Sequence, residues 1–493
     1  PHYGEILYTM MFSMAGEAGA KLLYVFVLVG AAGATYSLAS RFVSRDLAVI
    51  AGSLFLVQPL ILDQRVVCNI DVVLAYFYLS AAILLFSAAP KRTAKAADAY
   101  GKRRKAGDGG RALRDGEAAG SYGRPRRARI AVSTAILAGF MLGMKYTAVL
   151  PCAVLLLIPA LTGSWTWKRT ALMVAVALLV VSPWLIKNQV YVGNPVYPLM
   201  EETFDGLNWD RTQSSQLISW QWSMGMGRGL VDYLLLPLRI SIMGKPGLDY
   251  TRFDGILSPV FLMLVPLALL RRRRSTTVLG LMGGAGLVFW ALTSQQLRFL
   301  IPTIGLAAIL AAAGLAGLRA RVGPKTFRAV LILVFLVQAS TLIVPDQYGR
   351  PVISALYERL AAAAGLEAPP VFLGRSIQSY DLFQQMNENI PPGQAVFLIW
   401  ENRGYYLDRP YFADSFFEAS TLMRMAARSE SPADLKRKVS AMGYRYVVVN
   451  DLLADFFSQP YPPRDRQVLA DFISQYLTPV HSANRLTLYT VKD

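Results

Sequence analysis

Three cations stand at the ends of apolar runs. Lys145 sits in Gly143-Met144-Lys145-Tyr146-Thr147-Ala148, Lys187 in Ser182-Pro183-Trp184-Leu185-Ile186-Lys187-Asn188, and Arg298 in Gln295-Gln296-Leu297-Arg298-Phe299-Leu300-Ile301-Pro302. A charge so placed has two uses. It snorkels, laying its stem on apolar surface and its head in water. Or it holds an anion at that boundary, Arg through a bidentate fork and Lys as a point charge. Two acids are comparably placed. Asp71, in Asn69-Ile70-Asp71-Val72, opens an apolar run, where it caps a helix or offers a carboxylate. Glu5, in Pro1-His2-Tyr3-Gly4-Glu5, is either solvated or a proton acceptor. Asn188 and Asn194 lie around Tyr191-Val192-Gly193-Asn194-Pro195, where Asn, Gly and Pro each suit a turn. Arg403 and Tyr405, in Glu401-Asn402-Arg403-Gly404-Tyr405-Tyr406, either order their own surroundings or meet a ligand.

Other chemistries are poorly supplied. Cys68 and Cys152 both lie in apolar surroundings, so a disulfide framework and a Cys-type zinc site are excluded. The only histidines are His2 and His481, which excludes a His-rich metal cluster. No Asp-x-Asp pair occurs in the segments that could carry one, and the adjacent side chains of Glu201 and Glu202 point apart. No cofactor and no dedicated metal site is expected, although a divalent metal is compatible with the class named below.

The elements that must position these side chains are membrane spans. Of 493 residues, 54% are hydrophobic and 17% charged, against about a quarter charged in soluble domains. Mean hydropathy is +0.37. An ordinary soluble enzyme is therefore excluded. Ten stretches approach the roughly 20 apolar residues that cross a bilayer: 21–38, 48–62, 70–89, 130–144, 147–161, 170–187, 255–270, 276–293, 299–317 and 329–344. The net charge of +18 then resolves by side. With 21–38 running inward, the inner segments hold 25 of the 50 Lys and Arg and five of the 32 acids, so the whole positive excess faces the cytoplasm, as the positive-inside rule requires. The basic character is topological, and no nucleic-acid partner is expected.

Segment 90–129 is rich in Gly, Ala, Lys and Arg and reads as a disordered cytoplasmic loop near anionic headgroups. Both ends fall outside, and a further helix before Pro1 would complete the topology. Residues 188–254 form an external loop too long for a plain connector, holding Trp209, Trp220 and Trp222 beside seven acids. Residues 345–493 change character. A helix at Ser379–Asn389, strands at Ala395–Trp400, Tyr444–Val449 and Leu486–Val491, and a helix capped at Ser431 predict a small external α/β domain. The fold class expected is a mainly α polytopic membrane protein, with a transmembrane domain over 1–344 and an α/β domain over 345–493.

In this order, the SPWLIKN…GNPVYPL, QQLRFLIP and ENRGYYLDRP strings resemble bacterial membrane glycosyltransferases of the GT-C superfamily. The likeness is to the group containing dolichyl-phosphate-mannose-protein mannosyltransferase-like proteins and the aminoarabinose transferase of lipid A, and it runs over nearly the whole chain. It implies transfer of a sugar from a polyprenyl-phosphate donor to a glycan, lipid or protein acceptor on the outer face of the cytoplasmic membrane. It implies donor-phosphate contacts from Lys145, Tyr146, Lys187, Asn188 and Arg298, cavity acids at Glu5 and Asp71, and contacts from Arg403 and Tyr405. The ENRGYYLDRP string resembles the external C-terminal domain of one uncharacterised branch, which typically has an Asp on the first external loop just after the first helix. That position would precede Pro1, so the resemblance leaves the catalytic residue unassigned. The competing class is a non-enzymatic transporter or flippase of lipid-linked glycans. Transporters of this kind show internal repeats with broken helices, and no repeat relates the two halves here.

Overall fold

A computed structural model describes residues 2–63, 68–88, 109–163, 165–207, 209–247, 249–270, 273–346, 349–414, 418 and 420–492. The chain divides into two compact units, one of residues 1–185 and 221–356, the other of residues 186–220 and 357–493.

The first unit is helical: α1 (Tyr3–Ala39), α2 (Arg45–Leu56), α3 (Pro59–Asp63), α4 (Ile70–Ala88), α5 (Gly109–Met144), α6 (Val149–Leu161), α7 (Trp167–Val192, which runs on into the second unit), then α9 (Leu230–Ile242), α10 (Val260–Leu269), α11 (Arg274–Leu292), α12 (Ile301–Arg319) and α13 (Pro324–Ser340). Between α7 and α9 lies α8 (Arg211–Ser223). Seven helices among the described residues are long and apolar enough to cross a membrane, and the helices Tyr146–Leu161 and Val260–Leu269 are apolar but shorter. The stretch 48–62 is split into α2 and α3. Each of the ten apolar stretches thus contains helix, though 255–270 is helical only from Val260, and the chain is a multi-pass membrane protein.

The packing follows side-chain size. α12 is buried almost all round and lies against α1, α2, α4, α10 and α11. Its sequence IPTIGLAAILAAAGLAGLR supplies the small residues that let helices approach closely in lipid. A Cβ on Gly314 would stand 2.2 Å from the Leu264 carbonyl oxygen, and one on Gly305 2.8 Å from Leu79. α1, α7 and α13 instead keep large apolar side chains exposed, among them Phe26, Leu179 and Phe335, a surface suited to acyl chains. The α2–α3 break is repaired by buried amides. Gln58 donates to the Leu54 carbonyl (2.8 Å) and accepts from the Ser258 amide (3.2 Å), while Gln338 donates to the Val57 carbonyl (2.9 Å). Irregular backbone inside a membrane protein needs such partners.

One sequence expectation is corrected. The segment read as a disordered loop is helical from Gly109 onward, continuous with the apolar part of α5. Extending a helix that a membrane span has already nucleated costs little per residue, even through polar sequence. Residues 89–108 of that loop lie outside the described residues.

The second unit carries α14 (Val352–Ala363, begun in the first unit), α15 (Pro369–Ser376), α16 (Tyr380–Asn389), α17 (Thr421–Ala427), α18 (Pro432–Ala441), α19 (Asp451–Ser458) and α20 (Pro463–Tyr476) around a five-stranded sheet. Strands β1 (Val396–Ile399), β2 (Tyr411–Ala413), β3 (Tyr446–Asn450), β4 (Leu477–Ala483) and β5 (Leu486–Val491) lie in the order β2-β1-β3-β5-β4. β1 runs parallel to β2 and β3, and β5 antiparallel to β3 and β4. Alternation splits the buried strand residues between two faces. Phe397, Ile399, Val447 and Val449 meet α17, α18 and α20, while Val396, Leu398 and Val448 meet Leu382, Phe383 and Met386 of α16. Within this unit the 186–220 segment is tied to the α/β domain: Tyr197 donates to Glu418 (3.1 Å) and Gln213 to the Tyr461 hydroxyl (3.2 Å).

Candidate functional site

Four of the charged residues singled out by position come together in the first unit. Two glycines permit it. A Cβ on Gly4 would lie 2.6 Å from Ile70, and one on Gly143 2.2 Å from the Tyr3 ring. The start of α1 therefore docks tightly on the start of α4 and the end of α5, and Tyr3 locks it by donating to the Val180 carbonyl on α7 (3.0 Å). Asn69 accepts from the Asp71 amide (3.0 Å) in the first turn of α4. Asp71 points its carboxylate elsewhere: Oδ1 accepts from Lys145 Nζ at 2.6 Å. Lys145 reaches it because it is an extended residue (φ −160°, ψ 137°) between α5 and the 3-10 turn Tyr146–Ala148.

This ion pair is well withdrawn from water, with side-chain exposure of 2% for Asp71 and 21% for Lys145. Removing two charges from water is repaid only by good geometry and further partners. The further partners are incomplete, since Asp71 Oδ2 is buried without a hydrogen bond among the described residues. Lys145 Nζ also stands 4.0 Å from the centre of the Phe299 ring, and the Arg298 guanidinium 5.2 Å from the same ring. Arg298 and Glu5 both lie within electrostatic reach of Lys145. Glu5 meets His2 at 3.3 Å and leaves its second oxygen buried and unpaired among the described residues. Tyr8, one turn further along α1, likewise buries its hydroxyl without a described partner.

Arg298 is aimed by its neighbours. It lies in the 3-10 turn Leu297–Leu300, entered by a polar loop that is clamped on several sides. Trp290 Nε1 donates to the Gln296 carbonyl (2.7 Å), Gln296 Nε2 to Asp254 (2.8 Å), and the Leu297 amide to the Phe253 carbonyl (2.8 Å). From the other side Arg228 donates to the carbonyls of Ala291 (3.2 Å) and Thr293 (2.7 Å), so it caps the C-terminal end of α11. The Arg298 Nε is itself buried and makes no hydrogen bond among the described residues. One donor of the guanidinium is thus left open inside the protein, where a buried polar group ordinarily has a partner.

The remaining candidates belong to the second unit, Tyr146 excepted. Asn188 donates to the Pro195 carbonyl (3.3 Å) and Asn194 to the Leu199 carbonyl (2.9 Å), so both shape the Gly193–Pro195 turn. Lys187 is exposed on α7. Arg403 grips Glu401 with Nε (2.7 Å) and Nη2, and Gln378 with Nη2 (3.1 Å). Glu401 is wholly buried and also accepts from Asn450 (3.3 Å), and its carboxylate holds the Arg403 guanidinium above its usual range. Arg403 thus orders its own domain, and Tyr405 stands exposed beside it, edge-on to Tyr406 at 4.9 Å. Tyr146, half-buried in the first unit, directly follows Lys145 in the 3-10 turn.

Sequence reading missed three parts. Phe299, shared by two cations, lay inside the QQLRFLIP string and read as part of the next span. Arg228 lay in the Gly-rich Gly225-Met226-Gly227-Arg228-Gly229, where its clustering with glycines was the available signal. The Asp71–Lys145 pair joins residues 74 apart and leaves no local mark. Among the described residues no group of three or more His, Cys, Asp and Glu side chains converges as a metal site would need.

The family profile of a domain of unknown function, DUF8201, matches residues 122–305. Comparison with curated proteins gives no match. Solved structures are more informative. ArnT from Cupriavidus metallidurans in the apo state superposes with a TM-score of 0.60 at 17% identity, over 99% of this chain and 86% of that one. The same protein bound to undecaprenyl phosphate gives 0.58 at 17% identity, with the same coverage. The Archaeoglobus fulgidus oligosaccharyltransferase, in complex with Zn and sulfate, gives 0.52 at 12% identity over 99% of this chain and 64% of that one. These neighbours are GT-C proteins. The chain is a polytopic helical membrane protein with a C-terminal α/β unit, and its fold is similar to that of these GT-C proteins.

Proposed function

We propose that the protein is an integral-membrane glycosyltransferase that takes a sugar from a polyprenyl-phosphate carrier and passes it to an acceptor at the outer face of the cytoplasmic membrane. The observation that carries the reading is the convergence of Lys145, Arg298, Asp71 and Glu5 at one end of the helical bundle, with the Arg298 Nε buried and unpaired among the described residues. The GT-C fold and the undecaprenyl phosphate seen on ArnT support it. The charge pattern of the loops supports an outward-facing site and an external α/β domain.

The chemistry suits the arrangement. The anomeric carbon–oxygen bond to the carrier phosphate breaks, the acceptor oxygen or nitrogen bonds to that carbon, and the acceptor's proton passes to a base. The leaving group is a polyprenyl phosphate, whose growing charge asks for cations more than for an acid. Arg298 and Lys145 supply them. Asp71 is occupied by Lys145 and acts as its positioning partner. Glu5, with one carboxylate oxygen still open among the described residues, is the acid of this set available to accept the proton.

The test is transfer of radiolabelled sugar from polyprenyl phosphate to membrane acceptors by the full chain, wild type against Arg298→Ala. A fall of about 100-fold, the scale for loss of one charge-stabilising group, is expected. Unchanged transfer removes Arg298 from the site. Movement of the intact lipid-linked sugar across vesicles without any transfer would establish the transporter class instead.

A further inference from the structure

We infer that α9 is an interfacial helix, lying along the bilayer surface with one apolar face among the acyl chains of the phospholipids. The inference rests on the membrane-spanning character of the first unit and not on the catalytic reading.

The face is built from residues that repeat every four positions. Leu230, Leu234, Leu238 and Ile242 are exposed, and Val231 and Leu235 fill the gaps between them. At about 100° per residue these six cover an arc of roughly 140°. Leu230 is 77% and Leu234 72% exposed, which no water-facing helix would choose for six large apolar side chains in 13 residues. The opposite side packs inward through Leu236 and Ile240. Between the two arcs lies the charged pair Asp232–Arg239, at 2.6 Å, at the border where an interfacial helix carries its polar groups.

Length decides between crossing and lying flat. Thirteen residues span about 20 Å, short of the roughly 30 Å hydrocarbon layer. Both ends are also tied to neighbouring structure of the same unit. At the start, Gly229 donates to Asp232 (2.8 Å), and Arg228 beside it holds the end of α11 through Thr293. At the far end the Leu257 amide donates to the Ile240 carbonyl (2.9 Å), three residues before the apolar helix α10 begins. The helix is thus anchored at both ends to elements of the membrane-spanning unit. The occupant is the bilayer itself, with Arg228 and Arg239 at headgroup level.

The test uses the full chain in nanodiscs of phosphatidylcholine and phosphatidylglycerol. Leu234→Cys and, separately, Ile242→Cys are labelled with an environment-sensitive fluorophore, and the signal of the unsubstituted chain with Cys68 and Cys152 is subtracted. Arg437→Cys, on the exposed surface of α18, is the aqueous control. The expected result at both helix positions is quenching by acyl-chain nitroxide lipid at least about threefold stronger than by aqueous iodide, with the reverse at position 437. Serine at Leu230 and Leu238 should bring the ratio at position 234 toward one. Iodide quenching that exceeds lipid quenching at positions 234 and 242 overturns the inference. So does efficient disulfide crosslinking between two copies of the Leu234→Cys variant with protection from both quenchers, which would assign the face to a second copy of the chain.

Discussion

Replacing Asp71 by Asn strips the Lys145 ammonium of its counter-charge while leaving the shape of the site almost unchanged. Removing one partner of a buried ion pair costs about 3–5 kcal/mol, because the other charge stays buried and unpaired. Lys145 keeps 21% of its side chain exposed, so some water screens it and the lower end, about 3 kcal/mol, applies to Asp71→Asn. Lys145→Met strands Asp71, which is only 2% exposed, and should cost about 4 kcal/mol. In the double variant neither charge remains and the cost should fall to about 1–2 kcal/mol, because a neutral pair of similar volume packs nearly as well. The cycle therefore predicts a coupling of several kcal/mol. Reversible unfolding in SDS reads it, followed by the reactivity of the Cys152 thiol, which is buried in α6 of the same unit. A coupling under about 0.5 kcal/mol, the level expected of independent sites, would refute the pair and with it the role of Asp71 as the partner that orients Lys145.

Arg228→Lys should lower sugar transfer by about tenfold, since a compact ammonium does not reproduce the planar fork that reaches the Thr293 and Ala291 carbonyls and steadies the loop of Arg298; equal rates for the two proteins would free the loop from Arg228. Gly314→Val should destabilise the helical unit by at least about 3 kcal/mol, because its side chain meets the Leu264 backbone, which cannot give way as a side-chain end can; thermal unfolding in detergent checks it. Glu401→Gln should cost about 1–3 kcal/mol in the α/β domain, where it weakens the bonds from Arg403 and Asn450; limited proteolysis of residues 357–493 reports it. Burial holds the Asp414 carboxyl above its ordinary range, against the hydrogen bonds from Ser420 and Thr421. Its folded pKa exceeds the unfolded one, so its contribution is most favourable below the ordinary carboxylate range and is lost as pH rises through the raised value. Asp414→Asn should remove that segment of the pH dependence of melting; an unaltered pH profile would show that the carboxyl titrates normally.

Much of the architecture was written in local pattern. Each apolar stretch of the membrane half contains helix, because hydropathy over twenty residues is a strong signal. In the α/β unit, the Ser431 cap and the strand Leu486–Val491 match the sequence reading, since capping chemistry and alternation are short-range properties. Lys145 and Arg298 were visible because a charge abutting an apolar run stands out. Their sharing of Phe299 and the pairing of Asp71 with Lys145 were not visible, because they depend on which helix ends meet. β2 has three residues and β4 carries Pro479 at an edge of the sheet, so neither shows a strand pattern. α9 was hidden inside a loop of polar and aromatic residues: LVDYLLLPLRISI is apolar enough to be noticed and too short to be counted as a span. The runs that became α12 and α13 are both apolar, and only the alanines and glycines of the first hint that it is enclosed.

The enclosure of α12 bears on how the molecule answers to its surroundings. A change in bilayer thickness acts on helices that touch acyl chains, and α1, α7 and α13 do so along much of their length. α12 is sheathed by other helices and feels such a change only through them. The turn that carries Arg298 leads directly into it. The guanidinium is therefore mounted on the shaft of the bundle, insulated from the elastic stresses that tilt the outer helices.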